Sequence, residues 1–315
     1  MSVLITGAAG FIGSHLCSQF LENDKKVIGI DNFTLGNTKN LQKIIDNKNF
    51  TFLEIDICSK QFNEVLEKHS ETIDEIWHLA ASSDIEKGSD DYLIDMLNTF
   101  QTTISVCNFA EENNIEKIYF SSTGAVYGNH TDKVDEETFC LPISFYGVFK
   151  LASEHFLRSN YERFLKKVVV FRFANIVGSH ATHGVIYDFI NKLNSNPNVL
   201  NVLGDGYQQK PYMHVKDLIN AMVYIKEKTD NGYHIFNVGP DDEGVLVKDI
   251  ANLVVKAKSL DSEILFGVEN RGWVGDIPKI RFNTNKLLEI GWEPSYSSTE
   301  AIKKAISEII REIDE

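Results

Sequence analysis

Val3-Leu4-Ile5-Thr6-Gly7-Ala8-Ala9-Gly10-Phe11-Ile12-Gly13 is the stretch on which the fold turns. Four strand-forming residues run straight into three glycines spaced three apart, and an amphipathic helix over about 12–23 follows. The glycines serve three separate ends, namely a tight turn, close approach of backbone N–H groups to a pyrophosphate, and close packing of helix on strand. The helix N-terminus adds unpaired donors and partial positive charge. The spacing therefore predicts a dinucleotide site at Gly7, Gly10, Phe11, Ile12 and Gly13. No Gly-Lys-Ser/Thr follows, so a mononucleotide P-loop is excluded.

Outward from this turn, apolar runs alternate with longer amphipathic stretches. The runs are Val3 to Thr6, Lys26 to Ile30, Phe50 to Ile55, Glu75 to Leu79, Lys117 to Ser121 and Lys167 to Phe173, with helices expected near 12–23, 60–69, 91–113 and 147–165. Nearly continuous apolar strands between helices predict an α/β doubly wound parallel sheet of the Rossmann type, covered on both faces. The second run ends in Asp31-Asn32, 18 positions beyond Gly13, where a carboxylate accepts hydrogen bonds from an adenosine ribose and repels a 2′-phosphate. NAD is thereby favoured over NADP. Asp56 and Ile57, at the end of the third run, are candidates for the adenine, and the small residues after His78, Leu79-Ala80-Ala81, suit close approach of the cofactor. His78 itself reads as a packed group rather than a base.

Beyond residue 174 the regularity falls, although a helix is expected near 184–195 and a strand over Tyr233 to Val238 resembles the first six. The expected division is a cofactor domain over 1–174, to which about 214–239 returns, and a smaller interleaved C-terminal substrate domain over 175–213 and 240–315. At 315 residues a buried core is assured without staples. Four scattered cysteines without a CxxC pair suggest reduced thiols, and no apolar stretch is long enough to span a bilayer. With no leader-like start, the cytoplasm is the expected compartment. A net charge of −14 argues against nucleic acid or anionic membrane as partner.

Tyr146 and Lys150 are four apart and share one helix face. A phenol serves as a base near neutrality only when an ammonium and a nicotinamide cation stabilise the phenolate. Ser121-Ser122-Thr123 ends the preceding strand, at the edge where doubly wound sheets bind ligands.

With these residues in view, the chain resembles an extended short-chain dehydrogenase/reductase of the NAD-dependent nucleotide-sugar epimerase and dehydratase family. The matching segments are GAAGFIG from Gly7, HLAA from His78, SSTGAVYG from Ser121, YGVFK from Tyr146, RFANIVG from Arg172, GDGYQQKPYMHVKD from Gly204 and RGWVGD from Arg271. The resemblance implies that Thr123 holds the reacting hydroxyl with Ser122 beside it. It further implies that Tyr146 takes the hydroxyl's proton and that Lys150 holds the nicotinamide ribose and lowers the phenol's pKa. It adds Asn98, Ser121 and Phe173 to the cofactor contacts, and assigns Ser83, Asn175, His183, Gly184, Val185, Lys210, Tyr212, Arg271 and Asp276 to the substrate, with no metal.

Relatives that eliminate water carry Asp-Glu directly after the Thr; here the residues are Gly124 and Ala125. The expected reaction is therefore 4-epimerisation through a transient 4-keto sugar. Net C4 oxidation, for example of a GDP-linked hexose or heptose, is the alternative, and 4,6-dehydration is disfavoured. The loop Gly178-Ser179-His180 departs from the Gly-Pro-Arg common in the family, Lys210 stands for an Arg, losing its bidentate fork, and Ser83 or its neighbour stands where typical UDP-galactose 4-epimerases carry Lys, which is what keeps the GDP-linked or heptose alternative. A non-catalytic NAD sensor is the reading from another class. The resemblance also implies a homodimer through the helices near 91–113 and 147–165, for which Phe100, Ile104, Val106, Phe149, Leu151 and Phe156 are enough apolar residues, although the same residues would equally serve to face the sheet.

Overall fold

The computed structural model describes residues 1–83 and 85–314, and of Glu86 and Lys87 the backbone alone. In chain order the first elements are β1 (Ser2–Thr6), α1 (Phe11–Glu22), β2 (Lys26–Asp31), β3 (Phe50–Glu54), α2 (Gln61–Ser70), β4 (Ile73–His78), α3 (Ile85–Asp90) and α4 (Tyr92–Asp95). A π-helical turn over Met96–Gln101 leads into α5 (Thr102–Glu112), followed by β5 (Lys117–Thr123), α6 (Phe145–Arg163) and β6 (Lys167–Phe173). Then come β7 (Asn175–Val177), α7 (Val185–Ser195), β8 (Val199–Val202), β9 (Gln209–Lys210), β10 (Tyr212–His214), α8 (Val215–Lys228) and β11 (Gly232–Val238). The chain ends with β12 (Val245–Leu246), α9 (Val247–Ala257), β13 (Glu263–Phe266), α10 (Asn285–Glu289) and α11 (Ser298–Asp314).

Seven strands form one sheet in the order β11-β6-β5-β4-β1-β2-β3. β1 pairs parallel with both β2 and β4, so the winding direction reverses between β1 and β4. That reversal opens a crevice at the carboxyl ends of these two strands, where doubly wound sheets take their ligands. The six expected strands and the later one over 233–238 are all present, as is the predicted doubly wound α/β fold.

Two compact units emerge. The first comprises 1–123, 145–172 and 222–236; the second comprises 124–144, 173–221 and 237–315. In the first unit Leu4, Ile30, Phe109, Ile118, Leu157 and Val170 belong to one buried cluster between sheet and helices. Val106, expected with Ile104 to supply apolar surface to a partner, is instead 1% exposed in this cluster, because the two residues are two apart on α5 and so point to nearly opposite faces of the helix. In the second unit Phe189, Leu193, Ile250, Val254, Ile302 and Ile306 join α7, α9 and α11 around a separate core.

The observed division departs from the sequence-based one at 173–174, 214–221 and 237–239 and, most of all, at 124–144, all of which group with the second unit. For 124–144 the reason is long-range pairing: Val134 N–H donates to Arg281 O at 2.9 Å, Asn283 N–H donates to Val134 O at 2.8 Å, and Tyr127 Oη donates to Asn237 Oδ1 at 2.6 Å. No helix of the described residues is long and apolar enough to cross a membrane.

Candidate active site

The glycine turn is built around contacts that leave no room for side chains. A Cβ on Gly13 would lie 2.0 Å from Gly7 O, and one on Gly7, at φ +71°, would lie 2.9 Å from Ala80 N. The chain therefore passes from β1 to α1 in direct backbone contact with the residues after β4. Ser14 N–H already donates to Gly10 O at the first turn of α1, and the helix start has no side-chain cap. A phosphate fits that uncapped N-terminus by charge and by hydrogen bonding.

Asp31 closes β2 at 8% exposure, its carboxylate accepting Ala9 N–H at 3.0 Å and Phe33 N–H at 2.8 Å. Burial raises its carboxyl pKa, and these backbone N–H groups oppose the shift. Asn32 Nδ2 donates to Asp56 Oδ2 at 3.1 Å, linking the ends of β2 and β3, while Asp56 stays exposed and Ile57 is buried behind it. An anionic carboxylate at the end of β2 beside a glycine cradle fits the adenosine half of NAD.

Beneath this cradle a polar chain crosses the sheet. Thr6 Oγ1 accepts Leu79 N–H and Ala80 N–H, each at 3.1 Å, which directs its own hydrogen to His78 Nδ1 at 2.8 Å. His78 Nε2–H then donates to Thr103 Oγ1 at 3.1 Å, and that hydroxyl donates to Thr99 O at 2.9 Å. His78 is completely buried; desolvation, with the charge of Lys150, pulls its pKa down to about 3. It is a neutral tie between β1, β4 and α5. Ala81 and Ser83 follow, both partly exposed, and the neighbour of Ser83, Asp84, lies outside the described residues.

Three residues of α6 spaced four apart, Tyr146, Lys150 and Glu154, face the three residues that end β5. The Tyr146 phenol is hydrogen-bonded to Thr123. Lys150 Nζ donates to Ser121 O at 2.5 Å and lies 4.7 Å from the centroid of the Phe120 ring and 5.9 Å from that of Tyr146. Ser122 Oγ donates to Glu154, whose carboxylate also accepts Arg172 Nη2 at 2.7 Å and Nε at 3.1 Å. The Ser122 hydroxyl is thus committed to a buried ion pair, with Glu154 at 2% and Arg172 at 4% exposure.

Burial dominates the electrostatics of this row. It pushes the Tyr146 phenol well above its ordinary range, against the Thr123 hydrogen bond and with the help of the Asp95 charge. It pulls Lys150 down to about 7, against Glu154 and Asp95, whose charges favour the ammonium. Asp95 is fully buried immediately before the π-turn. Asn98, within that turn, donates from Nδ2 to Ile94 O at 2.9 Å. Glu154, Arg172 and Asp95 escaped the sequence reading. The 146, 150, 154 spacing on one helix face was the available signal for Glu154.

The remaining candidates lie in the second unit, except for Ser83. Asn175 begins β7 and is paired in register with Tyr212 of β10, its Nδ2 donating to Pro211 O at 3.4 Å. Lys210 Nζ lies 2.5 Å from Asp276 Oδ1, and Asp276 Oδ2 accepts Gly272 N–H at 3.0 Å. Burial, then the Asp276 charge, raises the Tyr212 phenol pKa. Arg271 is exposed. His183 and Gly184 are exposed in the loop before Val185, the first residue of α7, and Phe173 is buried at the end of β6. Among the described residues no three His, Cys, Asp or Glu side chains gather as a metal centre requires.

The family model described as NAD dependent epimerase/dehydratase family matches residues 3–239. A dTDP-D-glucose 4,6-dehydratase of Mus musculus is 30% identical, covering 96% of this chain and 87% of its own. A crystal structure of a UDP-galactose 4-epimerase superposes with a TM-score of 0.88 at 30% identity, over 99% of this chain and 100% of that one. The UDP-glucuronic acid 4-epimerase of Bacillus cereus, solved with UDP-glucuronic acid and NAD, gives a TM-score of 0.88 at 26% identity, over 99% of each chain.

Proposed function

The chain belongs to the NAD dependent epimerase/dehydratase family, and from that premise we propose that it is a nucleotide-sugar 4-epimerase. It is an enzyme with NAD as cofactor. NAD, when bound, would supply an acceptor and donor of hydride for the sugar carbon. Gly7, Gly10 and Gly13 shape the turn for its pyrophosphate, and Asp31 and Asp56 serve its adenosine half.

The chain's own part is to hold and move one proton. The Thr123 hydroxyl orients the C4 hydroxyl of the sugar, and Tyr146 Oη accepts that hydroxyl's proton as the C4 ketone forms, then gives it back. Burial alone would keep Tyr146 a neutral phenol, so positive charge beside it decides whether it acts as a base. Lys150, with a pKa of about 7, supplies that charge in its protonated form. Ser122 supports this row from behind, through Glu154.

The observation that carries the reading is Tyr146 hydrogen-bonded to Thr123 above Lys150, with no acid following Thr123. Position 124 also has no space for a side chain, since a Cβ there would lie 2.7 Å from the Phe282 ring. The dehydratase relatives are therefore a weaker guide to the activity than the epimerases. Asn175, Lys210, Tyr212, Arg271 and Asp276, with the loop through His183 to Val185, are assigned to the nucleotide sugar, and Ser83 to the sugar end. Lys210 then exchanges part of its pairing with Asp276 for the diphosphate.

The test is to incubate the purified protein with UDP-, GDP-, CDP- and dTDP-sugars while following product identity and cofactor absorbance. A new epimer at constant NAD is the expected result. Accumulating reduced cofactor with a ketone would make the protein a C4 dehydrogenase, and loss of water a dehydratase. No change with any sugar would favour a non-catalytic sensor.

The proposal extends to a homodimer in the cytoplasm. Leu97 at 47% and Val148 at 41% exposure, with the partly exposed Phe100, Ile104, Phe149, Leu151 and Phe156, offer apolar surface on α6, on α5 and on the turn leading into it. Sedimentation at micromolar concentration is expected to give twice the chain mass; a monomer would end this part of the reading.

A further inference from the structure

The loop from Gly178 to Gly184 joins β7 to α7, and two carboxylates on one face of α11 grip its backbone. Ser179 N–H donates to Glu308 Oε2 at 3.3 Å. His180 N–H donates to both oxygens of Glu312, at 2.9 and 3.1 Å, and its ring Nε2 lies 3.8 Å from the same carboxylate. Glu308 and Glu312 are four apart, one turn of the helix, so consecutive N–H groups of the loop meet consecutive acidic side chains.

His180 adopts φ +69°, a conformation that costs a non-glycine residue free energy and persists only where its surroundings hold it. The Glu312 contacts are what the surroundings provide. Glu308 is anchored in turn. His214, fully buried at the end of β10, receives Lys216 N–H on Nδ1 at 3.2 Å and so presents Nε2–H to Glu308 at 2.9 Å. Burial works against the Glu308 carboxylate. The hydrogen bond from His214, with Lys304 and Ser179 N–H, nevertheless holds its pKa at about 2. Gly178, at φ +147°, leaves no room for a side chain, since a Cβ there would lie 2.7 Å from Val215 Cγ1.

We infer that Glu308 and Glu312 are positioning residues for substrate binding: α11 holds the 178–184 loop by its backbone, so that His183, Gly184 and Val185 meet the nucleotide sugar pre-arranged. This rests on the assignment of that loop to the substrate under Proposed function. Neither carboxylate touches the reacting atoms. The ordering of the loop is met in the free protein, and its loss is felt as weaker binding rather than slower chemistry.

The experiment compares the full-length enzyme with Glu312→Ala, Glu308→Ala and the paired Glu308→Gln/Glu312→Gln variant. UDP-glucose is the first probe, followed by whichever sugar nucleotide the panel identifies. Hydrogen exchange at the Ser179 and His180 amides reports the grip itself. Glu312 is on the surface, so its variant is expected to fold even if Glu308→Ala does not. In each Ala variant the amide its carboxylate held exchanges faster, Ser179 in Glu308→Ala and His180 in Glu312→Ala, KM rises about tenfold and kcat stays within about twofold, as expected for loss of charge-assisted hydrogen bonds that serve binding. The Gln pair, which keeps neutral acceptors, recovers part of the KM. Released amides with unchanged KM would overturn the inference and leave the epimerase reading intact, as would a fall in kcat at constant KM. A wild-type enzyme inert towards every sugar nucleotide would sink the epimerase reading and this inference with it.

Discussion

Tyr146→Phe is expected to lower turnover by about 10² to 10⁴, the range for removing a positioned acid–base group, while NAD remains bound. The substitution deletes one oxygen and leaves the ring, so the contacts of α6 are kept. Lys150 keeps its own hydrogen bond to Ser121 O. The phenol is the group hydrogen-bonded to Thr123, and its loss leaves the C4 hydroxyl without an acceptor for its proton. Product formation in a single turnover, together with the NAD content of the purified variant, checks this. Retained activity would remove Tyr146 from the chemistry. Lost NAD would mean that the phenol's role is to hold the cofactor.

Glu154→Ala is expected to cost about 3–5 kcal/mol of stability, the range for removing one partner of a buried ion pair. Arg172 would be left at 4% exposure without the carboxylate that binds its Nε and Nη2. Ser122 would lose its acceptor as well. The unfolding midpoint in urea measures the effect, and a loss below about 1 kcal/mol would mean that water replaces the carboxylate. A second consequence separates this residue from an ordinary core position. The Glu154 charge favours the Lys150 ammonium, so its removal lets burial lower the Lys150 pKa further and reduces the protonated fraction at neutral pH. Activity in the surviving folded fraction is expected to fall as pH rises through 7 sooner than in the wild type.

Much of the first unit was legible because its signals are local. The Gly7, Gly10, Gly13 spacing describes a turn whose tightness is decided within seven residues, and the structure shows why: a Cβ on Gly13 meets Gly7 O. Strand Lys167–Phe173 was read to the residue, since an uninterrupted apolar run admits few other outcomes. Tyr146 and Lys150 stood out through their four-residue spacing together with Ser121-Ser122-Thr123 at the end of the preceding strand. The second unit was less legible. Its strands are two to four residues long and carry no periodic pattern, and segment 124–144 joins it through pairings with residues more than a hundred positions away.

By itself the sequence determined the dinucleotide turn and the face of α6 that carries the phenol and the ammonium, because each depends on residues within a turn or two of one another, and it marked the doubly wound sheet through the alternation of apolar runs with helices. Only the tertiary structure decided that Ser122 is bound to a buried Glu154–Arg172 pair, that His78 is a neutral tie, and that Glu308 and Glu312 hold a loop some 130 positions earlier in the chain. A buried charge or an unpaired N–H must find a partner, and no local pattern says which distant residue the folded chain will bring to it.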